Sequence, residues 1–393
     1  MSHIVSFKID GLAGREVPVE AKLNRDVNIF FGVNGSGKTS LLKILHAAMA
    51  DETEFLRSVP FTRAEVRIYS VNWDKTFTRT LEKPPRPRKR SKDLPASDAH
   101  NAEIVRVLST QESDEMAWKC SPGSPREAEH TRWQHKYLPT SRLHISDDPL
   151  AFATDLSRGF QTQLTEEQLD TVFARSVEQL WNRYSSQVLG DVRLAQEQGL
   201  ASILRAVLSP PSEHDVRSAQ RLDAETAYRR VRSFLKRQGS AAILGKKAEF
   251  EARYSGDQTL QDVVRDIDAV EDKINDAMAA RTALQDLISR MFTDNKEVSF
   301  TDDSIAVKSY SGESLDLASL SSGEKHLLRI FVETLLVQQS TLLVDEPEIS
   351  MHVDWQERLI EALRTLNPHA QLVLATHSPE VMAHVSDDKI FTL

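Results

Sequence analysis

The sequence predicts an α/β fold that a long, largely helical insertion interrupts. Short apolar runs typical of strands alternate with amphipathic helical stretches near both ends of the chain. Between about residues 155 and 291, apolar residues instead recur three and four positions apart, which is typical of helices. A length of 393 residues agrees with about two to three domains. We therefore expect an α/β domain formed by the two ends of the chain, with a helical insertion between them.

The composition is that of a globular protein without a membrane span. Hydrophobic residues make up 40% of the chain and charged residues 27%. No window approaches the roughly 18 consecutive apolar residues of a transmembrane helix, and the first residues lack the layout of a secretory signal. We expect a cytoplasmic protein with no membrane partner. Cys120 is the single cysteine, which excludes a disulfide framework or a cysteine-based zinc site within one chain.

The net charge of −9 argues against a surface that binds nucleic acid throughout. One basic run, Lys83–Lys92, nevertheless holds six cations and three prolines. Proline and like-charge repulsion predict an exposed loop there, which is either a solvated connection or a local phosphate-binding patch. DNA therefore stays open as a partner.

The first part of the chain predicts strands around one glycine-rich turn. The apolar run 27–32 predicts a strand that leads through glycines into a helix. Alternating polar and apolar residues predict further strands, the last two as an antiparallel pair, over 3–10, 15–23, 64–73 and 76–82.

The longest predicted helix covers residues 260–291, and helical segments are also predicted from 155 to 256, with a break at Pro210. The long helix would span roughly 48 Å at 1.5 Å per residue. It needs a partner, which is either the rest of a globular insertion or a second helix of a short antiparallel coiled-coil arm. The helix contains too few unbroken heptads to distinguish these two alternatives.

Residues 297–317 predict a small hairpin, after which helices and strands alternate to the end of the chain. Helices are predicted over 326–339 and 354–366, and strands over 341–347, 371–377 and 390–393. The predicted parts of the chain are an N-terminal part of the α/β domain at 1–150, a helical insertion at 151–296 and a C-terminal part at 297–393.

A phosphate-binding motif follows the strand 27–32. Gly32 to Thr39 matches the pattern G-x-x-x-x-G-K-[ST] between a predicted strand and a predicted helix, as the motif requires. Its glycines let backbone N–H groups turn toward phosphate oxygens, Lys38 would reach the β- and γ-phosphates, and the Thr39 hydroxyl would bind Mg²⁺. ATP and Mg²⁺ are the predicted ligands. The predicted ATP-binding residues are Gly32, Asn34, Gly35, Ser36, Gly37, Lys38, Thr39 and Ser40.

Two buried strands near the C-terminus end in polar residues. The strand that begins at Thr341 ends in Asp345, which we assign to the Mg²⁺ site, and Glu346, which we assign to activation of the attacking water. His377 follows the next strand, at the strand end where open α/β sheets present ligand-binding groups. We favour a contact with the γ-phosphate over a structural hydrogen bond.

The segment Ser321–Glu324 has two compatible interpretations. A serine before a helix and a glutamate in its first turn predict an N-cap. The same helix N-terminus also suits an anion, such as a nucleotide presented by another subunit.

Four motifs together resemble the ABC-type ATPases. GVNGSGKT, LSSGE, LLVDEPE and ATHS, in this order, are similar to the Walker A, signature, Walker B and H-switch elements of that family. The resemblance covers about residues 1–80 and 297–393 and implies a P-loop NTPase fold, the head of an ABC ATPase, with a mixed sheet. It also implies catalytic roles for Glu346 and His377. The residues that would contact ATP from the other subunit are Ser321, Ser322, Gly323 and Glu324.

The 284 residues between Lys38 and Ser322 point away from transporters and toward the RecF and SMC branch, in which an arm interrupts the ATPase head. The runs LSSGE and DEPEISMH are similar to OLD-family ATPases and to stand-alone ATPase subunits of anti-phage systems such as PARIS, Septu and some retrons. This resemblance implies a D-loop that includes Ser350 and His352. Gln134 is the candidate for the Q-loop glutamine of these ATPases.

The resemblance implies an ATPase that dimerises around ATP, as a dimer or larger homo-oligomer, and acts as the sensor or regulatory subunit of an anti-phage system. Because 16 residues follow His377, we expect the effector, a Toprim or HNH nuclease, to be a separate polypeptide. A phage-derived trigger is a further expected partner. Two alternatives stay open: a RecF-like ATPase of DNA repair, and an ATP-gated scaffold with negligible turnover.

Overall fold

We describe the protein from a computed structural model, which covers residues 2–83, 116–121, 131–140, 165–208, 222–237, 239–292 and 296–393. The chain divides into two units, which we call the head (1–176 and 318–393) and the insertion unit (177–317). The three-part division predicted from the sequence stays a prediction. Residues 84–92 of the basic run and the predicted break at Pro210 lie outside the described residues.

A five-stranded parallel sheet forms the centre of the head. The strands are β3 (Val27–Phe31), β7 (His135–Leu138), β11 (Thr341–Asp345), β12 (Gln371–Thr376) and β13 (Ile390–Thr392). Their order in the sheet is β13–β3–β12–β11–β7. Every residue of β11 and β12 is buried, as expected for the continuous apolar runs of a parallel sheet covered on both faces.

A second sheet of the head is antiparallel, with the order β2–β1–β4–β5–β6. Its longer strands alternate buried and exposed residues, so one face packs on the core and the other faces water. The predicted pair over 64–73 and 76–82 is confirmed. The strands are β1 (Ser2–Asp10), β2 (Val19–Lys22), β4 (Arg63–Ser70), β5 (Lys75–Glu82) and β6 (Lys119–Cys120).

Seven helices occur in the described residues: α1 (Lys38–Ala50), α2 (Glu166–Leu208), α3 (Ala224–Arg237), α4 (Lys247–Tyr254), α5 (Gln258–Met291), α6 (Ser322–Leu336) and α7 (Val353–Leu366). None of these helices is long and apolar enough to cross a membrane. The predicted α/β class is confirmed, with one parallel and one antiparallel sheet in the head and mostly helical structure in the insertion unit.

The long helix of the insertion unit is confirmed as α5, a helix of 34 residues. Its buried Val264 and Ile267 share an apolar cluster with Val231 of α3 and with Phe250 and Tyr254 of α4. The long helix therefore packs on other helices of the insertion unit. Its Lys273 also contacts Gln198 of α2, so the choice between a globular insertion and a coiled-coil arm stays open.

The predicted hairpin of residues 297–317 has a third strand. β8 (Lys296–Phe300), β9 (Ile305–Ser309) and β10 (Ser314–Leu315) form an antiparallel sheet in the order β10–β9–β8. Gly312, at a φ of 82°, lets the chain turn back after β9 so that Ser314 and Leu315 pair with it.

One side chain joins the two sheets of the head. Gln371 is fully buried at the start of β12. Its Nε2 donates to the carbonyl oxygens of Ile4 (2.7 Å) and Asn24 (2.9 Å), and its Oε1 accepts from the Ile4 N–H (2.9 Å) and the Thr341 hydroxyl (2.9 Å). All four hydrogen-bonding positions of the amide are used, which ties β1 to the parallel sheet.

We predict that Gln371→Leu destabilises the head by about 3 kcal/mol or more, because a buried polar group left unsatisfied costs about 1–3 kcal/mol and four groups lose this partner. The measurement is urea denaturation followed by circular dichroism. Gln339→Leu, an equivalent change at an exposed position of the head, should stay within about 0.5 kcal/mol of the wild type. Equal stability of the two variants would contradict the role of Gln371 in joining the two sheets.

Candidate functional site

The predicted phosphate loop lies between β3 and α1. Gly35 and Gly37 have φ values of 85° and 101°, a left-handed backbone that glycine adopts without a Cβ clash. Asn34 and Gly35 are exposed, and Lys38 is buried with its Nζ donating to the Gly32 carbonyl oxygen (2.7 Å). The Lys38 ammonium is thus held over the loop whose N–H groups were predicted to bind phosphate.

Asp345, at the end of β11, reaches the start of α1. The Thr39 hydroxyl donates to its Oδ1 at 3.1 Å, and the Thr140 hydroxyl, two residues after β7, donates to its Oδ2 at 2.8 Å. Burial raises the pKa of the Asp345 carboxyl above its usual value, and the hydrogen bonds from Thr140 and Thr39 oppose that shift. A threonine hydroxyl and a carboxylate side by side are the hard oxygen donors that suit Mg²⁺.

The chain turns sharply at Glu346. Its φ of 52° is unusual for a residue other than glycine, and such backbone strain concentrates at functional sites. The Glu346 carboxylate lies 3.5 Å from Lys38 Nζ and contacts the Nδ1 atom of His377. Residues that are more than 300 positions apart in the chain thus form one ion-paired group.

Glu348 fixes the backbone that carries His377. Its Oε1 accepts from the Thr376 hydroxyl, from the His377 N–H at 2.9 Å and from the Ser378 N–H at 3.2 Å. The His377 Nδ1 lies 3.2 Å from the same oxygen. One ligand atom each of Glu346, Glu348 and His377 lies within 4.8 Å of the others, a spacing that suits a metal ion. Because Oε1 of Glu348 already accepts several hydrogen bonds, the arrangement is better described as a hydrogen-bond network around His377.

Burial raises the pKa of the Glu346 carboxyl. The hydrogen bond from His377 opposes this shift, and the negative charge of Glu348 adds to it. A carboxylate with a raised pKa is a better proton acceptor near neutral pH. The site therefore combines a buried cation, an oxygen-lined position beside Thr39 and a carboxylate suited to take a proton from water.

The predicted signature residues form a second group at the start of α6. The Ser321 Oγ accepts from the Glu324 N–H (3.3 Å), while the Glu324 carboxylate accepts from the Ser321 N–H (2.6 Å), so the predicted N-cap is confirmed as a full capping box. A Cβ added at Gly323 would lie 2.1 Å from the Ser350 carbonyl oxygen. This close approach brings the predicted signature and D-loop segments together.

Four other predicted residues lie outside the ion-paired group around Lys38 and Glu346. Ser36 Oγ is buried and has no hydrogen-bond partner among the described residues, which a phosphate oxygen would supply. Ser40 is half-buried in the first turn of α1, and Ser322 is exposed at the first position of α6. His352 caps α7, with its Nδ1 accepting from the Asp354 N–H at 3.4 Å.

The structure corrects one sequence-based candidate. Gln134 is exposed and precedes β7, so it lies at the amino ends of the parallel strands, opposite the edge that carries Lys38 and Asp345. Thr140 and Glu348 were not identified from the sequence, because their contacts depend on which strands are neighbours. Glu348 does belong to the run Asp-Glu-Pro-Glu at the end of β11, so the sequence places it close to Glu346 along the chain.

Two proteins associated with retrons are similar to part of this chain. Retron Vc95 probable ATPase of Vibrio cholerae serotype O1 biovar El Tor is 28% identical over 92 residues, which cover 20% of this chain and 18% of that protein. Retron Ec83 probable ATPase of Escherichia coli is 30% identical over 93 residues, covering 20% of this chain and 17% of that protein. The matched segments span less than a fifth of either relative.

Solved structures similar to this chain include heads of SMC proteins. The SMC head domain from Thermotoga maritima aligns with 97% of this chain and 91% of its own, at 12% identity and a TM-score of 0.39. The Pyrococcus furiosus Smc head domain bound to the C-terminal domain of ScpA aligns with 98% and 92%, also at 12% identity and a TM-score of 0.39.

A protein-family model matches residues 150–383, more than half of the chain. The matched segment includes Ser321, Asp345, Glu346 and His377, and the phosphate loop precedes it. The family is described as "AAA domain, putative AbiEii toxin, Type IV TA system". The chain belongs to this AAA-domain family.

Proposed function

We propose that this chain binds and hydrolyses ATP with Mg²⁺, dimerises around the nucleotide, and regulates a separately encoded effector of an anti-phage system. One observation carries the ATPase part of the proposal. Lys38, Thr39, Asp345, Glu346 and His377 come from distant parts of the sequence and meet at the carboxyl edge of one parallel sheet. Open α/β sheets bind their ligands at this edge.

The phosphate loop supplies the nucleotide contacts in this proposal. Backbone N–H groups from Gly32 to Ser40 would surround the phosphates, and the helix N-terminus at Lys38 would add its partial positive charge. Thr39 and Asp345 would hold Mg²⁺, which when bound neutralises charge on the β- and γ-phosphates. The Ser36 hydroxyl would gain the partner that it lacks among the described residues.

Glu346 would orient and deprotonate the attacking water. Its carboxylate is paired with Lys38. The γ-phosphate would compete for the Lys38 ammonium, because a phosphate attracts this cation at least as strongly as one carboxylate does. The Glu346 carboxylate would then keep its contact with His377 and turn toward water.

We predict that Glu346→Gln retains ATP binding and lowers turnover by about 10²- to 10⁴-fold, the range for a lost general base. The neutral amide keeps the size of the side chain and removes its ability to take a proton. Phosphate release measures turnover, and equilibrium dialysis with labelled ATP measures binding. Glu357→Gln, at an exposed position of α7, is the matched control and should hydrolyse at the wild-type rate.

The same two variants test the defence role. The efficiency of phage plating is measured on cells that carry the chain with its neighbouring genes. It should rise to the unprotected level for Glu346→Gln and stay low for Glu357→Gln. Wild-type turnover by Glu346→Gln would remove this residue from the mechanism. Full hydrolysis by the wild type without any protection would contradict the anti-phage role and favour a RecF-like role in DNA repair.

Two similarities support the defence role. The family description refers to a toxin–antitoxin system, and the two bacterial relatives are named as probable ATPases of retrons. In this proposal the effector is a separate Toprim or HNH nuclease, and a phage-derived molecule acts as the trigger.

Dimerisation would complete the nucleotide site. Ser321 to Glu324 lie at a helix N-terminus, which attracts anions, and Gly323 allows this turn to pack directly on Ser350. In the proposed dimer, this surface of one protomer would cover the phosphates bound by the Lys38 loop of its partner. Each site would then contain residues from both protomers.

We predict that Lys38→Ala and Ser321→Arg are each inactive alone and that mixing them restores about a quarter of the wild-type rate, because half of randomly paired dimers would hold one intact site of two. Differently tagged variants allow mixed dimers to be purified, and these should release phosphate at about half the wild-type rate, because each holds one intact site of two. Two differently tagged Lys38→Ala preparations provide the control and should stay inactive. Inactive mixed dimers would contradict a shared site and leave Ser321 as a helix cap.

A further inference from the structure

Both oxygens of the Asp345 carboxylate are held by threonine hydroxyls from different parts of the head. Thr39, at the start of α1, binds Oδ1 at 3.1 Å, and Thr140, beyond β7, binds Oδ2 at 2.8 Å. Asp345 is 1% exposed, so its orientation depends on these protein contacts rather than on water.

The position of Thr140 follows from the pairing of β7. β7 runs parallel to β11, with His135 opposite Thr341 and Leu138 opposite Val344. The chain therefore leaves β7 at the same edge as Asp345, and Thr140 is the second residue past the strand. A hydroxyl at this place reaches the second oxygen of the carboxylate.

We propose that Thr140 is a positioning residue for the divalent cation of the nucleotide complex, acting through Asp345. This inference rests on the proposed function. Thr39 and Oδ1 of Asp345 form the side of the site that would face the cation. The Thr140 hydroxyl fixes Oδ2 and so prevents the carboxylate from rotating away. Groups that orient metal-binding carboxylates by hydrogen bonding control metal affinity in this way.

The geometry distinguishes this role from general support of the fold. Thr140 is half-buried, and its hydroxyl donates to the carboxylate itself rather than to a backbone carbonyl. Valine has nearly the same shape as threonine and lacks the hydroxyl. Serine keeps the hydroxyl and loses only a methyl group.

The experiment measures ATP binding by isothermal titration calorimetry, once with excess Mg²⁺ and once with EDTA, for the wild type, Thr140→Val and Thr140→Ser. The dissociation constant in EDTA divided by the dissociation constant in Mg²⁺ reports how strongly the cation contributes to ATP binding. We expect Thr140→Val to reduce this ratio by about 10- to 100-fold, the usual cost of losing a group that orients a metal ligand. Thr140→Ser should stay within about threefold of the wild type, because it keeps the hydrogen bond.

Thr365→Val is the matched control, since Thr365 is exposed on α7 and its hydroxyl binds only the Glu361 carbonyl among the described contacts. It should leave both dissociation constants unchanged. A wild-type ratio in Thr140→Val would overturn the inference, as would an equal loss of affinity with and without Mg²⁺. Failure of the wild type to bind ATP at all would instead overturn the proposed function.

Discussion

The parallel pairing of β3 with β12, and of β12 with β11, is the constraint on which the candidate site depends. β3 lies near the start of the sequence and the other two strands lie near its end, yet parallel strands in one sheet must end at the same edge. Lys38 and Thr39 follow β3, and Glu346 follows β11, so the sheet brings them to the same edge. The Gln371 amide stabilises this arrangement from the opposite end of β12.

The charged side chains at this edge contact one another in one network. Lys38 is buried, and a buried ammonium without a partner would be strongly unfavourable, so Glu346 and the Gly32 carbonyl oxygen supply its contacts. His377 in turn contacts Glu346. A bound phosphate would replace the Glu346 carboxylate as the negative partner of Lys38. ATP binding would therefore rearrange an existing network rather than create an isolated charge. The left-handed backbone at Glu346 directs its carboxylate into this network.

Local sequence patterns predicted the parts of the site that depend on neighbouring residues. The strand, phosphate loop and helix around Lys38 follow from an apolar run next to glycines, and the capping box of Ser321 follows from a serine and a glutamate three positions apart. The meeting of Thr39 with Asp345 was expected because of the resemblance to ABC-type ATPases and not from any local pattern. Thr140 was missed because β7 is short, and only its pairing with β11 shows that its carboxyl end reaches the site while the candidate Gln134 lies at the other end.

The stoichiometry and affinity of ATP binding at the edge that carries Lys38 can be measured with Mg²⁺ by calorimetry, on the purified wild type and on Lys38→Ala. We expect one nucleotide per chain for the wild type. We expect affinity weaker by about tenfold or more for the variant, because it loses a hydrogen-bonding cation. A wild type that binds no ATP, or a variant that binds it equally well, would contradict ATP binding at this edge.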